Sequence, residues 1–527
     1  MKKIISIIII ALFFSSSPIV SCDPYDPTGP EDTDTILIDT MATDTSVDDT
    51  VPEVVGVYIE TQEEFDRFKN AKYLPGGNVF LAAGKSFNGQ FAPKGSGTAT
   101  NPITVTAYNP ETKEIYWEAV DNKPIINGNG TVNSAFYLYN ADNWIISNLE
   151  ITNTDGTDAD QGNLRGIHVV QEDVGTAENI TIRNCYVHDV NGKVEGKQLG
   201  GIHIHVKGKS TPTVINNVLV ENNYVSTVGG VGIGNSSSWG GVTDDDYYPW
   251  ENYIVRNNRV EYTGRNGIIV RFGTDPVAEY NVIAYPSLYS TGHNMFNFNT
   301  RGCIMQFNES YGATGDIDEH DRGGFDADYN SENTIIQYNY SHNNHWFTGI
   351  MRRYNKGVTI RYNLSVNEKL GGYMYGFPND VGLEDLVIHN NTHYFGEGLD
   401  AAPFASPGKT RIPIETFMYN NIFYFEEPST WSVLPDESSC ELSHNLFYNI
   451  AGWGENPITQ DPLFVDPGEE PYDIDMTDPE RLSGYMLKAA SPCIDAGKVI
   501  ENNGGRDFWG NPLNDGLPDI GAYEKQD

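Results

Sequence analysis

The stretch WIISNLEI, residues 144–151, is the first clear copy of the short pattern that decides the fold. The pattern is a β-rich triplet, a polar residue, an asparagine, and three residues that end in an apolar or aromatic one. It recurs as ITIRNCYV at 180–187, VLVENNYV at 218–225, YIVRNNRV at 253–260, TIIQYNYSH at 334–342, VTIRYNLSV at 358–366, LVIHNNTHY at 386–394, FMYNNIFY at 417–424 and ELSHNLFY at 441–448.

The repeated asparagines set a period. Most gaps between them are 24 to 38 residues, and one gap of 51 separates Asn257 from Asn308. A period of this size, rich in Val, Ile and Tyr, predicts a β-solenoid whose stacked coils share one core. Asparagine suits the turns because it tolerates left-handed backbone angles, and stacked asparagines can bond from coil to coil. The asparagines are Asn148, Asn184, Asn222, Asn257, Asn308, Asn339, Asn363, Asn391, Asn421 and Asn445.

The N-terminal region carries targeting signals. Lys2 and Lys3 precede an apolar run of 11 residues, which is too short for a transmembrane helix of roughly 20. Residues 1–21 are therefore expected to be a signal peptide. The sequence IVSC ending at Cys22 resembles the lipobox of bacterial lipoproteins, and this resemblance implies a lipid on Cys22. Residues 22–53 lack Lys and Arg and are rich in Asp and Glu, which predicts an acidic flexible tether.

Capping signals flank the solenoid, which is expected over residues 54–455. Thr61 and Glu64 match a capping box, so a short helix should cover the N-terminal end. Residues 456–527 should form a C-terminal cap built on the strings DPLFVDP, SPCIDAG, RDFWGNP and PDIGAYE. The residues expected at its turns and caps are Asp495, Asp507 and Asp519.

The composition limits the partners and the redox chemistry. Lys and Arg total 33 against 72 Asp and Glu, for a formal net charge of −39. Phosphate binding needs a basic field, so nucleic acid is not an expected partner. The cysteines after Cys22 are scattered and lack the spacing of zinc ligands, so we expect buried free thiols. They are Cys185, Cys303, Cys440 and Cys493.

With these coils, caps and lipobox, the chain resembles the pectate-lyase-like superfamily of right-handed parallel β-helix proteins, which contains polysaccharide lyases and glycoside hydrolases. It is most similar to surface lipoproteins of Bacteroidota polysaccharide-utilisation systems. The resemblance covers nearly all of residues 54–527. It implies an all-β fold, a carbohydrate substrate and a lipid anchor in the outer membrane, at the cell surface or facing the periplasm. We expect a monomer. The fold does not decide the reaction.

A second set of strands, each beginning after a glycine, points to the candidate site. They are GIHVV at 166–170, GIHIH at 201–205, GVGIG at 230–234, GIIVR at 267–271, GFDAD at 324–328, GIMRR at 349–353 and GYMYG at 372–376. Side chains alternate across a strand, so the second and fourth residues after each glycine should point outward. This gives His203 and His205, Gly232 and Gly234, Ile269 and Arg271, Asp326 and Asp328, and Met351 and Arg353.

The outward residues predict one catalytic group beside a charged loop. The sequence GHNMF, at 292–296, could place a further strand between Arg271 and Asp328. The loop DIDEHDRGG, at 316–324, could hold Ca²⁺ through carboxylate oxygens, or it could be a solvated charged loop. The predicted catalytic residues are His203, His205, Arg271, Asp326, Asp328 and Arg353. Residues expected to bind substrate are His320, Arg322, Arg352 and Tyr354. The candidate calcium ligands are Asp316, Asp318, Glu319 and Asp321.

β-Elimination from a uronic acid is the favoured reaction. It requires a neutralised C6 carboxylate, for which Arg271, Arg353 or Ca²⁺ would serve. It also requires a base, for which His203 or His205 is the first candidate and Tyr354 or Lys369 the next. Scarce basic residues in register on an acidic protein favour an anionic polysaccharide, uronate-containing or sulfated. The expected enzyme is therefore a polysaccharide or oligosaccharide lyase, or a dehydratase.

Two alternatives remain open. Asp326 and Asp328, about 7 Å apart on one strand, could be the acid and base of a glycoside hydrolase, at a separation that suits inversion. The protein could also bind glycans at the cell surface without cutting them.

Overall fold

The fold is a right-handed parallel β-helix, as predicted. The computed structural model describes residues 53–157, 162–313, 321–376, 382–406, 416–436, 440–513 and 516–526. Within these ranges the chain winds through three parallel sheets, A, B and C, and each strand pairs with the equivalent strand of the next coil. The expectation of a nearly all-β protein is confirmed.

The strands of each sheet, in order along the described chain, are as follows. Sheet A contains Glu53–Ile59, Lys72–Ala82, Ile103–Tyr108, Trp144–Ser147, Thr176–Arg183, Val214–Glu221, Tyr253–Arg256, Val277–Glu279, Ile304–Gln306, Ile335–Gln337, Thr359–Arg361, Leu386–His389, Thr416–Tyr419 and Cys440–Ser443. Sheet B contains Ser86–Asn88, Ile125–Asn127, Glu150–Asn153, Tyr186–Val190, Tyr224–Val228, Arg259–Thr263, Val282–Ala284, Glu309–Tyr311, Tyr340–His342, Leu364–Val366, Thr392–Phe395, Ile422–Phe425 and Leu446–Tyr448. Sheet C contains Ser134–Tyr139, Arg165–Glu172, Gly200–Lys207, Val231–Ser237, Ile268–Arg271, Met295–Phe298, Gly323–Ala327, Trp346–Met351, Gly371–Gly376 and Ala402–Ala405. Short pairs flank sheet C at Trp250–Glu251 with Gly273–Thr274, and at Ser331–Glu332, Asn355–Lys356 and Leu383–Glu384.

A column of buried asparagines runs along the turn between sheets A and B. The Asn281 amide donates to Asn308 Oδ1 at 3.0 Å and to the Val255 carbonyl at 2.9 Å. Its own Oδ1 accepts from the backbone and side-chain N–H groups of Asn258. The same links join Asn223, Asn258, Asn281, Asn308, Asn339, Asn363, Asn391, Asn421 and Asn445.

The predicted asparagines belong to two neighbouring columns, which corrects the single column we expected. Asn222 has a φ of 55° and Asn257 a φ of 53°, and each stands one residue before a member of the bonded column. In later coils the bonded residue itself was predicted, while aromatic residues such as Phe307 and Tyr338 take the left-handed turn. Asn281 was missed because its coil lies within the 51-residue gap.

Both ends are capped. The helix Gln62–Phe68 begins at Thr61, whose hydroxyl accepts from the Glu64 N–H, while the Glu64 carboxylate accepts from the Thr61 N–H. Toward the other end the chain forms mostly turns and one 3₁₀ helix, Glu480–Tyr485. The buried Asp507 accepts from the backbone N–H groups of Asn511 and Glu524 at 2.7 and 2.8 Å. The predicted capping helix and C-terminal cap are confirmed.

Two further features concern the cysteines and the membrane. Cys185, Cys303 and Cys493 are buried free thiols, as expected, whereas Cys440 is only partly buried. Among the residues that the structure describes, none of the helices has both the length and the apolar character needed to cross a membrane.

The strand Ile335–Gln337 offers a test of the coil register. Ile336 is fully buried and pairs with Met305 and Ile360 of the adjacent coils, whereas Ile335 is partly exposed on the other face. We expect Ile336→Asp to lower stability by several kcal/mol, because it places an unpaired charge in the packed core. Ile335→Asp is the matched control and should change stability by much less. Urea unfolding followed by circular dichroism measures both, and equal losses would contradict the register.

Candidate active site

The candidate site lies on the outward face of sheet C. Loops leading from sheet B to sheet C border one side of this face, and loops leading from sheet C to sheet A border the other. The register of paired strands, continued by two residues where strands end, arranges the outward side chains in two columns. The first column contains His203, Gly234, Ile269, Phe296, Asp326 and Gly349. The second contains His205, Ser236, Arg271, Phe298, Asp328 and Met351.

Asp326 and Asp328 are buried neighbours with different proton affinities. Their exposed fractions are 1% and 4%. Burial and the nearby carboxylates of Asp328 and Asp321 raise the pKa of Asp326 well above its usual range. Burial also raises the pKa of Asp328, but Lys197, a hydrogen bond from the Tyr329 N–H and Arg271 oppose this, leaving that pKa at about 6. Asp326 is therefore the member of the pair that disfavours its charged form more strongly, and Asp328 is the one that ionises more readily, an asymmetry that acid–base chemistry can use.

His293 lies between two of the carboxyl groups. Its Nε2 is 3.5 Å from Asp321 Oδ1 and 3.7 Å from Asp326 Oδ2. The Gly323 backbone N–H donates to its Nδ1 at 2.9 Å. Burial lowers the pKa of His293, so the ring is neutral and carries its proton on Nε2. Within the described chain, Nε2 lies near both carboxyl groups but is hydrogen-bonded to neither. We call His293, Asp321 and Asp326 the carboxyl unit.

Glycine is required beneath this unit. A Cβ at Gly349 would lie 2.7 Å from His293 Nε2 and 3.0 Å from Asp326 Oδ1, and one at Gly323 would lie 2.7 Å from His293 Nδ1. The two distances of 2.7 Å are shorter than real Cβ contacts. A residue larger than glycine at 323 or 349 would therefore displace the His293 ring.

Two cations and two aromatic rings line the site next to the carboxyl groups. The Lys197 ammonium lies 4.9 Å from the centre of the Phe296 ring, and the Arg271 guanidinium lies 5.6 and 5.9 Å from the centres of Phe296 and Phe298. Burial lowers the pKa of Arg271 to about 10. These cations stabilise the ionised form of Asp328, and the rings, 3% and 6% exposed, give the buried charges apolar surroundings.

The structure separates the predicted histidines from the carboxyl groups, which corrects the single catalytic cluster. His203 is four strands away from Asp326 along sheet C, or about 19 Å at the usual strand spacing. The strand Met295–Phe298 does intervene between Arg271 and Asp328. Burial holds the pKa of His203 well below its ordinary value and that of His205 at about 3. These rings are weak bases too distant to act on the same bond.

The register also corrects two neighbouring assignments. Gly234, not Gly232, stands beside His203, and Ser236 follows beside His205. Arg353 is outside both columns, because Gly349 and Met351 take the positions beside Asp326 and Asp328. Its guanidinium lies 5.4 Å from the centre of the Tyr329 ring.

The predicted substrate-binding and calcium residues have varied positions. Arg322 is 5% exposed and donates to the Ser287 carbonyl at 2.7 Å. The partly exposed Arg352 follows the strand Trp346–Met351, and the Tyr354 hydroxyl donates to Glu332 at 2.7 Å. Asp321 belongs to the carboxyl unit, and no three side chains of the described chain form a metal-binding cluster. Outside the described residues lie Asp316, Asp318, Glu319 and His320.

Four residues of the site were missed from the sequence. Phe296 and Phe298 occupy the strand that GHNMF only suggested, and a full alternation count through MFNF would have found them. His293 and Lys197 come from loops between sheets B and C, where neither period nor alternation gives a signal.

The geometry of the site can now be set beside known proteins, and the chain shares the parallel β-helix fold with solved structures. Comparison with protein-family models finds no match. The sequence is 26% identical over 562 aligned residues to the lacto-N-biosidase of Bifidobacterium longum subsp. longum, an alignment covering 85% of this chain and 34% of that protein. The chain thus corresponds to about a third of the relative's length.

A solved structure shows the same fold. The crystal structure of the GH136 lacto-N-biosidase from Eubacterium ramulus matches with a TM-score of 0.55 and 22% identity, covering 69% of this chain and 67% of that one. A pectate lyase, Pel9A, matches with a TM-score of only 0.37 and 12% identity, over 90% of this chain and 97% of that one.

The predicted lyase is wrong. The relative aligned over 85% of this chain is named a lacto-N-biosidase, which is a glycoside hydrolase. The prediction gave too much weight to basic residues: Arg271 lowers the pKa of Asp328, and the histidines are elsewhere.

Lys197 provides a test of the site's electrostatics. Its positive charge lowers the pKa of Asp328, so Lys197→Met should move this pKa upward from about 6. Carboxyl ¹³C NMR of aspartate-labelled protein, assigned with Asp328→Asn, measures the titration. The control is Lys193→Met, an exposed lysine of the same loop, which should leave the titration unchanged. An unchanged or lower pKa in the Lys197→Met protein would contradict the assignment.

Proposed function

We propose that this protein is a glycoside hydrolase that acts on neutral oligosaccharides, with Asp328 as the ionised carboxyl group of its reaction centre. The observation that carries the proposal is the split in protonation between Asp328 and Asp326 on one outward face. The similarity to a lacto-N-biosidase supports hydrolysis and a carbohydrate substrate.

Asp321 and Asp326, whose carboxyl groups lie beside His293, are the source of the proton for the leaving oxygen. Asp326 holds a proton because burial and two neighbouring carboxylates disfavour its charge. Asp321, at 8% against 1% exposed, is the more accessible member. His293 Nε2 lies between the two carboxyl groups, 3.5 Å from Asp321 Oδ1 and 3.7 Å from Asp326 Oδ2, so either of them is placed to serve as the proton donor.

The reaction then follows from these positions. As the bond between the anomeric carbon and the leaving oxygen breaks, Asp321 or Asp326 donates a proton to that oxygen. Asp328 either attacks the anomeric carbon or removes a proton from the water that does so. The anomeric configuration of the first product, read by ¹H NMR, distinguishes these two routes.

Asparagine variants on two substrates assign the roles. We expect Asp328→Asn to lower turnover by about a hundredfold or more on both lacto-N-tetraose and 4-nitrophenyl lacto-N-bioside, since its carboxylate is needed whatever the leaving group. Asp321→Asn and Asp326→Asn should impair the tetrasaccharide far more than the aryl substrate, because nitrophenolate leaves without protonation. Reducing ends and released nitrophenol measure the two reactions.

A control variant and a contrary result accompany this series. Asp400→Asn removes the same charge from an exposed loop position and should leave both rates unchanged. Full activity in the Asp328→Asn protein would refute the proposed centre. Binding of these sugars without any hydrolysis by the unaltered protein would instead make it a glycan-binding protein.

We further propose that the protein is a monomeric lipoprotein of the outer membrane, acylated at Cys22. The short apolar run, the IVSC sequence and the acidic segment that follows support this proposal. A surface-exposed or periplasm-facing enzyme on such a tether could reach soluble oligosaccharides.

Membrane fractionation tests the anchor. We expect the unaltered protein in the membrane fraction and Cys22→Ala released or retained as a longer precursor, because the acylated thiol is lost. Cys440→Ala is the control and should fractionate normally. Normal fractionation and normal size of the Cys22→Ala protein would contradict acylation.

A further inference from the structure

A cavity opens on the loop that follows the strand Val231–Ser237. Its volume is about 390 Å³. Its walls include Pro212, Trp239, Tyr248, Asp244, Asp245 and Asp246. No residue of the reaction centre contributes to it.

The cavity has an aromatic corner. The rings of Trp239 and Tyr248 are 6.1 Å apart and inclined at 72°. The Trp239 Nε1–H is buried and has no hydrogen-bond partner within the described chain. A pyranose presents CH groups on its faces, so the Trp239 and Tyr248 rings that line the cavity offer it an apolar surface.

The rim of the cavity is negatively charged, which disfavours anionic sugars. Asp244, Asp245 and Asp246 are exposed at its edge. Asp244 accepts from the Gly241 N–H at 2.6 Å, which fixes the turn. Carboxylates accept hydrogen bonds from sugar hydroxyls, but three of them together repel uronates and sulfate esters. The cavity therefore suits a neutral sugar.

Tyr247 anchors this loop to the neighbouring coils on the side of the reaction centre. The Tyr247 hydroxyl donates to the carbonyls of Asn299 and Gly273 at 3.0 and 3.3 Å, and the Arg301 guanidinium lies 4.9 Å from the centre of the Tyr247 ring. The strand before the loop is three strands from that of Asp326, or about 14 Å. A chain lying along sheet C from Asp328 would pass this cavity.

We propose that the cavity is a remote subsite, which binds a neutral sugar residue of the same oligosaccharide whose bond is cleaved beside Asp328. The inference rests on the proposed function for the identity of the substrate. Binding in the cavity does not require turnover, so the two can be tested separately.

Calorimetric titration of the catalytically impaired Asp328→Asn protein provides the test. The probes are oligosaccharides of two, four and six residues with alternating galactose and N-acetylglucosamine. Trp239→Ala in this background should weaken binding of the longest probe by about tenfold, as expected for a lost stacking contact of about 1.4 kcal/mol. Binding of the disaccharide should be unchanged. Trp239→Phe should restore part of the affinity for the longest probe.

Control titrations separate the alternatives. Trp117→Ala removes another partly exposed tryptophan, 49% exposed and outside the cavity, and should bind all probes like its parent. Hexagalacturonate should bind no better in the presence of Trp239 than without it. Calcium chloride titrated alone should give no saturable heat, and saturable binding lost in Asp245→Asn would make the cavity a cation site and overturn the proposal.

The outcome for the subsite is distinct from the outcome for the reaction. Equal affinity of the parent and Trp239→Ala proteins for the six-residue probe overturns the subsite, even if hydrolysis is observed. A length-dependent loss supports the subsite even if no hydrolysis occurs. In otherwise unaltered protein, Trp239→Ala should leave turnover of 4-nitrophenyl lacto-N-bioside unchanged while raising KM for the longest oligosaccharide.

Discussion

The continuous hydrogen-bonded column from Asn223 to Asn445 is the constraint on which the rest of the structure depends. Each linking amide donates to the next asparagine and to a carbonyl of the previous coil, so a buried polar group is satisfied at every step. A slip of one residue would break the column and reverse which side chains face the core. The outward positions of Asp326 and Asp328 are therefore held by a turn on the opposite side of the coil.

Alternation along single strands could be predicted from the sequence, but not the alignment of one coil with the next. Ile202, Ile204 and Phe325 face inward as expected, with exposed fractions of 1% or less. Alternation is a local property of the backbone. The pairing of Gly234 with His203 depends instead on the lengths of the loops between the two strands. Local sequence patterns do not predict the register across such loops.

The largest error in the predicted site came from coils that the sequence pattern did not reveal. The strand Met295–Phe298 and the coil of Asn281 both lie in the 51-residue gap, so the histidines were placed too near Asp326. Lys197, His293 and Asp321 enter the site from loops between sheets B and C, where side-chain position follows from tertiary contacts. The carboxyl pair itself was predictable, because both members lie on one strand.

Burial explains how so acidic a protein separates the roles of its carboxyl groups. With a net charge of −39, a third or fourth carboxylate in one place would normally destabilise the fold. Here, desolvation raises the pKa of Asp326 and so disfavours its charge, while Lys197 and Arg271 favour the ionised form of Asp328. Because these cations serve the protein's own carboxylates, they do not require an anionic substrate. Tuning of this kind needs a dry site, which the rings of Phe296 and Phe298 and the close glycines at 323 and 349 provide. The rigid coils fix the carboxyl groups, and the loops on either side supply the charges and sugar contacts that set their chemistry.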